Sequence, residues 1–220
     1  MASWMIHLRI ADKLLDRIPG LSPIEFIMGN LAPDSGVPVG DNYEFSPSVK
    51  VSHFRRDDGT GKKDIDLERY RSQYFSPALR AGYTAQQDSF YLGYYTHLLT
   101  DCLWSDNISN PLRLKYADEI AADRLGIWDR IRKDWYDLDR LYLKKHPGFR
   151  AFRAYLGSVG FVNTYMDIFA PDAFDNRRAY ITSFYLEERD DLDREYIYIS
   201  EEQADRFVEE SVEAMMEVLK

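Results

Sequence analysis

Residues Asp88–Trp104, DSFYLGYYTHLLTDCLW, form the stretch that decides the fold, because it is apolar and aromatic around a few ionisable residues. His97 and Asp101 stand four residues apart in it, and positions i and i+4 of a helix lie on one face, one turn apart. The stretch therefore predicts a central helix that points an imidazole and a carboxylate together into the core.

Burying such a pair without a partner is costly in free energy. A metal ion suits both groups, since neutral imidazole and carboxylate are ordinary zinc ligands. The alternative is that Asp101 only orients His97, or forms an ion pair with it, inside a helical core. The other histidines and aspartates of the chain bear on this choice.

Two helices are predicted before the central one. Apolar residues recur at helical spacing over Ser3–Ile18. Ser22 is predicted to cap a second helix, which has Glu25 at its capping-box position and ends near Leu31. The turn-rich segment that follows delivers Asp34 from a loop.

Further helices are predicted after an irregular stretch, Val37–Asp64. In chain order they are Asp64–Tyr74, the central helix from about Ala85 to a break at Asn110-Pro111, Leu112–Lys145 as two helices or one bent helix parted near Gly126, Phe149–Ser158, Pro171–Phe184, and a last helix that runs from the capping box at Ser200 to Leu219. Arg194–Ser200, REYIYIS, instead predicts a strand that pairs with Ser183–Leu186 in a small hairpin near the C-terminus. The fold class is therefore all-α, with at most one small hairpin, and residues 1–220 form a single domain.

Composition narrows the class of protein. A hydrophobic content of 45% with 15% aromatic residues indicates a folded chain with a sizeable core. The net charge of -9 argues against broad binding of nucleic acid or anionic membranes, which use basic surfaces. A single cysteine, Cys102, fits a reducing compartment, and no secretory signal or membrane-spanning stretch is apparent. We expect a soluble, cytoplasmic protein.

His7, Asp34, His53, His97 and Asp101 together provide the ligand types and number that one zinc site, or two ions sharing a carboxylate, requires. Oxygen and imidazole donors without thiolate suit zinc, with manganese or iron(II) as alternatives. Taken singly, His7, Asp34 and His53 are more often a helix histidine, a loop cap and a surface histidine. The prediction of a metal site rests on the set.

The order of these residues is specific. A helical N-terminus bearing His7 is followed by Gly29-Asn30-Leu31-Ala32-Pro33-Asp34, by Ser52-His53-Phe54, and by Gly93 and the pair His97 and Asp101 in the spacing Gly-x3-His-x3-Asp. This order resembles the zinc-dependent phospholipase C family, whose relatives include single-strand-specific zinc nucleases. The resemblance covers about the first half of the chain.

The resemblance implies an all-α fold around a metal cluster. It implies that Asp34, His53, His97 and Asp101 hold one zinc, and that His7 joins Asp101 on a neighbouring zinc. In the secreted relatives the amino group of an N-terminal tryptophan completes the neighbouring site. The matching residue here, Trp4, is internal, which leaves the His7 site one ligand short unless water or another carboxylate fills the position.

The relatives also hold a third zinc with two further histidines and a glutamate. The corresponding part of this chain offers instead Asp106, Asn107, Asp118, Glu119, Asp134, Asp137 and Asp139. A third site is therefore predicted to be absent or rich in carboxylates. His146 precedes Pro147-Gly148 and is predicted to end a helix rather than to bind metal.

The chemistry implied is hydrolysis of a phosphoester in a small phosphate-containing substrate by a metal-activated water. Asp101 would bridge two ions, and Asp34 would serve as a ligand or as the general base. Arg55 and Arg56 are candidates to bind the phosphate, although a solvated pair of loop arginines is the alternative.

Two other functions stay open. One is an unrelated helical metal phosphohydrolase, which is expected to carry a histidine directly followed by an aspartate, and none of the four histidines here has one. The other is a non-catalytic protein in which one ion fastens the loop of Asp34 and His53 to the central helix. An open coordination position in a cleft distinguishes an enzyme from this second function.

Overall fold

The predicted central helix is present in the computed structural model, which describes residues 1–39, 44–56 and 64–219. The described helices are α1 (Trp4–Arg17), α2 (Pro23–Leu31), α3 (Val49–Ser52), α4 (Leu67–Tyr70), α5 (Pro77–Arg80), α6 (Ala85–Trp104), α7 (Asn110–Lys115), α8 (Ala117–Ala122), α9 (Arg124–Lys145), α10 (Arg150–Gly157), α11 (Ala173–Leu186) and α12 (Glu201–Val218). Strands β1 (Val37–Val39) and β2 (Glu44–Ser46) form an antiparallel hairpin in which Val37 pairs with Ser46. The all-α prediction is confirmed.

Most helix starts follow from their caps. The side chain of Ser3 accepts the Ile6 amide at the start of α1, and Ser200 and Gln203 form the predicted capping box of α12. The capping box predicted for α2 is wrong, because the Ser22 side chain makes no cap hydrogen bond. The Ser22 amide instead donates to Ser89 Oγ on α6 at 2.9 Å, so a tertiary contact fixes this end of α2.

The hairpin lies elsewhere than predicted. Residues 183–186 belong to α11, and residues 194–200 form no strand. The amides of Ile197 and Tyr198 donate to Asp134 Oδ2, both at 2.9 Å, so a buried carboxylate takes the place of a partner strand. The observed hairpin falls in the stretch predicted to be irregular, of which residues 40–43 and 57–63 lie outside the described part of the chain.

Other boundaries also differ. A π-helical turn, Ser105–Ser109, follows α6, so Asn110 begins α7 and the central helix ends six residues earlier than its predicted break. The predicted helix Asp64–Tyr74 is a short α4 followed by a second π-helical turn, Arg71–Phe75. The long helix divides at Tyr116 and Asp123 rather than at Gly126, whose amide is capped by the Asp123 side chain.

Helices α2 and α6 make the closest backbone contact that bears on the site. A Cβ atom built on Gly93 would lie 2.1 Å from the Phe26 carbonyl oxygen, and one built on Gly29 would lie 2.1 Å from the Phe90 carbonyl oxygen. Each glycine therefore faces the backbone of the other helix. Residues without a side chain at these two positions allow α2 to lie directly against the turn of α6 that precedes His97.

We expect Gly93→Ala to lower the free energy of unfolding by about 3 kcal/mol, because the added methyl group must push two buried helices apart. Chemical denaturation followed by circular dichroism measures the change. Gly157→Ala is the control, since a Cβ there meets nothing within 4 Å. Equal stability of the two variants would contradict the close contact.

The N-terminus of α1 is held by a buried carboxylate on α9. Asp139 accepts hydrogen bonds from Ser3 Oγ at 2.9 Å and from the Tyr185 hydroxyl at 2.7 Å, and that hydroxyl in turn accepts the Met5 amide. Burial raises the pKa of Asp139 to about 7, although these hydrogen bonds act in the opposite direction. The contact fixes the end of the helix that carries His7.

Asp139 predicts a pH dependence of stability. Its folded pKa of about 7 lies above the ordinary value of 3.8, so the stability from its bound proton is complete below about pH 4 and is lost as pH rises to about 7. Asp139→Asn binds no proton at this position. Urea titration gives the free energy of unfolding of the wild type minus that of the variant. This difference should fall as pH rises, and a difference that stays constant with pH would contradict the raised pKa of Asp139.

Candidate metal centre

Five side chains predicted from the sequence meet at one place. His7 comes from α1, Asp34 from the 3₁₀ turn Ala32–Asp34 after α2, His53 from the end of α3, and His97 and Asp101 from α6. The three imidazoles and Asp101 are buried, and the side chain of Asp34 is 13% exposed. The cluster is therefore assembled from four separate parts of the chain.

Three of these side chains, Asp34, His53 and His97, have ligand atoms that all lie within 4.8 Å of one another. His53 Nε2 lies 3.3 Å from Asp34 Oδ1 and 3.3 Å from His97 Nε2. Ligand atoms held tetrahedrally about 2.0–2.2 Å from one ion are roughly 3.3–3.6 Å apart. Asp101 Oδ2 lies next to this group, 3.6 Å from His53 Nε2 and 3.8 Å from His97 Nε2. The spacing therefore suits a metal ion held by Asp34, His53 and His97, with Asp101 beside it.

Neighbouring groups orient the imidazoles for this role. His97 Nδ1 lies 2.7 Å from the carbonyl oxygen of Asn30, so Nδ1 carries the proton and Nε2 presents its lone pair. His53 Nδ1 lies 3.0 Å from Ser52 Oγ, which can accept its proton in the same way. The Tyr94 hydroxyl donates to the Ser52 carbonyl and ties α3 to α6. Such contacts are what metal-binding histidines require.

The outer oxygens of the two carboxylates are also held. Trp4 Nε1 donates to Asp34 Oδ2 at 2.8 Å, which leaves Oδ1 facing His53. The Ala2 amide donates to Asp101 Oδ1 at 2.9 Å, whereas Oδ2 is buried without a hydrogen-bond partner. Asp34 therefore turns Oδ1 towards His53, and Asp101 turns Oδ2 towards His53 and His97.

His7 is the outlying member. Its ring stacks on that of His97 with centroids 3.8 Å apart, and its Nε2 lies 3.5 Å from Asp101 Oδ1. Both nitrogens of His7 are buried without a hydrogen-bond partner, which costs free energy unless a cation or solvent satisfies them. His7, His97 and Asp101 form a second group with metal-ligand spacing, but His97 Nε2 can serve only one ion. The second position is therefore poorer in ligands than the first.

The charges of the cluster suit a cation. Burial lowers the pKa of His97 to about 3, and the nearby His7 acts in the same direction, so His97 is neutral at pH 7. Burial alone would raise the pKa values of Asp34 and Asp101. The surrounding histidines hold the pKa of Asp34 below the ordinary range, and the N-terminal amino group together with His7 and His97 does the same for Asp101. Neutral imidazole and ionised carboxylate are the forms that bind metal, so the cluster can hold a metal ion.

The cluster opens on a cleft of about 420 Å³. Asp34 and His53 lie in its wall, together with Trp4. Four arginines also line it, namely Arg113 from α7, Arg124 and Arg132 from α9, and Arg177 from α11. None of these arginines was predicted from the sequence to bind a ligand, although the spacing Arg124-x3-Trp128-x3-Arg132 places two of them on one face of a helix.

Arg55 and Arg56 are not among the described residues that line this cleft. Arg56 is exposed, and Arg55 is half-buried, with its Nε buried and lacking a hydrogen-bond partner. Burial lowers the pKa of Arg55, while the charges of Asp101 and Asp34 act in the opposite direction. Arg55 therefore lies close enough to the cluster to feel its charge, and its binding of phosphate stays a prediction.

The carboxylates of the third-site region do not meet. Asp106, Asp118 and Glu119 are exposed, whereas Asp134, Asp137 and Asp139 accept hydrogen bonds from other parts of the chain. Among described residues, the groups with metal-ligand spacing are the two that share His97. His146 is exposed and stacks on Tyr142 at the end of α9, away from the cluster.

Comparison with family models, with curated proteins and with solved structures found no match to this chain. The resemblance to zinc-dependent phospholipase C therefore stays a prediction from the motifs. Within the described residues, the helices lack the combination of length and apolar composition needed to cross a bilayer.

We expect His97→Ala to lose most of its bound metal, because Nε2 of His97 contributes to both groups of ligand atoms. Elemental analysis of protein purified without chelator or immobilised metal gives the content per chain. His146→Ala is the matched control and should keep the wild-type content. Equal loss in both variants, or a metal-free wild type that takes up none when metal is added, would contradict the site.

Proposed function

We propose that this protein is a metal-dependent hydrolase of phosphoesters. The observation that carries the proposal is the position of the cluster, which meets an arginine-lined cleft through Asp34 and His53. Guanidinium groups are suited to bind phosphate, and a metal ion at the end of such a cleft lies where a phosphate would be placed. The resemblance of the motifs to zinc-dependent phospholipase C agrees with this reaction.

Zinc is the ion we favour. The cluster offers imidazole and carboxylate without thiolate, and His53 Nε2 lies 3.3 Å from both Asp34 Oδ1 and His97 Nε2, which is the separation expected of ligands around one zinc ion. Manganese and iron(II) accept the same donors but favour six ligands. Asp34, His53, His97 and Asp101 would hold the ion, and His7 would bind a second ion or the solvent beside it.

A bound ion would supply a water acidic enough to ionise near neutral pH and positive charge for the phosphoryl oxygens. The chain fixes the geometry around it. Asn30 and Ser52 set the tautomers of His97 and His53, and Trp4 fixes the rotation of the Asp34 carboxylate. Because these contacts come from packed helices, the ligand atoms need little rearrangement when the ion binds.

Asp34 is the ligand nearest to the cleft, and we assign it to the ion rather than to proton transfer. Its Oδ1 lies within the group of ligand atoms, and its Oδ2 is occupied by Trp4 Nε1. A general base needs an oxygen free to take the proton of water. Asp34→Asn distinguishes the roles, since loss of a ligand lowers metal content whereas loss of a base leaves it unchanged.

The substrate we propose is a small phosphomonoester or phosphodiester. The cleft of about 420 Å³ is of the size that takes a small molecule. Its arginines concentrate positive charge within a chain whose net charge is -9, so the attraction for anions is local. We propose a cytoplasmic setting, in agreement with the single cysteine.

One observation favours a non-catalytic alternative. Structural zinc sites are closed by four protein ligands, and Asp101 Oδ2, 3.6 Å from His53 Nε2, would be the fourth ligand beside Asp34, His53 and His97. In this alternative the ion fastens the Asp34 turn and α3 to α6, and the cleft only binds a partner. The contact of Asp34 and His53 with the cleft favours the enzyme, because it leaves a side of the cluster open to a ligand.

We expect the zinc-loaded protein to hydrolyse p-nitrophenyl phosphate or bis(p-nitrophenyl) phosphate. Asp101→Asn should reduce the rate by at least about 100-fold, because losing a group that only supports a metal ligand already costs up to about that much. Absorbance of p-nitrophenolate measures the rate. Asp106→Asn, an exposed carboxylate on the next turn of chain, should leave it unchanged.

Two results would count against the enzyme. A zinc-loaded wild type that cleaves neither ester would favour the non-catalytic alternative. A rate that Asp106→Asn lowers as much as Asp101→Asn would show that the activity does not depend on the cluster.

A further inference from the structure

We propose that the substrate carries a second anionic group, held by Arg124 at the far end of the cleft while the scissile phosphate lies at the metal cluster. This inference rests on the proposed function and names its substrate class more closely. The class is a phosphoester joined through an apolar spacer to a further phosphate or carboxylate. The inference rests on the arrangement of arginine and aromatic side chains along α9.

One face of α9 alternates charge and aromatic surface. Arg124, Trp128, Arg132 and Tyr136 follow one another at intervals of four residues, and all four line the cleft. Side chains four apart lie on the same helix face, about 6 Å apart along the axis. The residues therefore form a stripe along the cleft wall rather than a single cluster.

The end of the stripe nearest to the metal cluster can be identified. The ring of Tyr136 lies 6.0 Å from that of Trp4, and Trp4 Nε1 donates to Asp34. From Tyr136, Arg132 is about 6 Å and Arg124 about 18 Å further along the helix axis. The backbone positions of the two arginines of α9 thus lie about 12 Å apart along the helix axis, with Arg132 nearer to the metal cluster and Arg124 farther from it.

The other two arginines of the cleft lie at different levels. Arg177 donates from Nη2 to the Gly36 carbonyl at 2.6 Å, two residues beyond Asp34, so it belongs to the near end. The guanidinium of Arg113 lies 5.5 Å from the ring of Trp128, between the two ends of the stripe. Arg132 and Arg177 therefore form the near position for an anion, and Arg124 forms the far one.

The charges in the cleft exceed what one phosphate can satisfy. The described residues that line it contain four arginines and one carboxylate, Asp34, which a bound ion would neutralise. Arg132 also pairs with Asp129, but both side chains are largely exposed and such pairs contribute little. A substrate with anionic groups at both ends would meet this excess of positive charge.

Non-hydrolysable phosphonates test the inference without relying on turnover. Octane-1,8-bisphosphonate spans roughly the 12 Å between the two arginines of α9, and octylphosphonate is its match with one anionic end. Isothermal titration calorimetry on the zinc-loaded protein gives both affinities. We expect the bisphosphonate to bind at least about tenfold more tightly, as one added charge-assisted contact allows.

The variants assign the gain to its residue. Arg124→Gln should abolish the advantage of the bisphosphonate and leave the affinity for octylphosphonate unchanged. Arg206→Gln, an exposed arginine of α12 outside the cleft, should behave as wild type.

Three results would overturn the inference. Equal affinities in the wild type would show that no second anion is held, and equal effects of Arg124→Gln and Arg206→Gln would show only general attraction. If octylphosphonate still binds only when zinc is present, either of these results leaves the proposed hydrolase function unaffected. Absence of binding by both phosphonates would count against the hydrolase as well.

Discussion

The contact between the backbones of α2 and α6 is the constraint on which the metal centre depends. Gly29 and Gly93 allow the two helices to approach until either added methyl group would strike a carbonyl oxygen. At this distance the Asn30 carbonyl reaches His97 Nδ1 and fixes its tautomer. The turn that ends α2 then places Asp34 beside the same histidine. A wider helix pair would separate ligands that the sequence places more than sixty residues apart.

The core of this protein is unusual in what it buries. Three imidazoles and a carboxylate lie out of contact with solvent, and both nitrogens of His7 and one oxygen of Asp101 lack hydrogen-bond partners. Such atoms destabilise a fold unless something satisfies them. A divalent cation would neutralise the two carboxylates and bind the lone pairs of the histidines. Folding and metal binding are therefore expected to be coupled.

The metal centre is rich in negative charge, whereas the cleft that leads to it is rich in positive charge. The cluster contributes the carboxylates of Asp34 and Asp101, whereas the described residues of the cleft above it include four arginines from three helices. The net charge of -9 is that of the whole chain and does not give the local charge of either region. It argues against a broad basic surface, but the arrangement in space decides which ions enter the cleft.

The sequence by itself determined the elements whose signals are local. Helical spacing and caps predicted α1 and α12, and the i, i+4 spacing in α6 placed His97 and Asp101 on one face. The small number of histidines, the i, i+4 spacing of His97 and Asp101, and the order of the motifs selected the five members of the cluster. These properties depend on neighbours within a few positions along the chain.

Tertiary structure alone decided what depends on distant partners. The stretch REYIYIS has the composition of a strand, but Asp134 on α9 satisfies its amides, so no strand forms. The side chain of Ser22 does not cap α2, and the Ser22 amide donates to Ser89 Oγ on α6 instead. The arginine cleft joins α7, α9 and α11, whose proximity no local pattern encodes. Hydrogen bonds and charges act through space, so their partners become known only once the helices are packed.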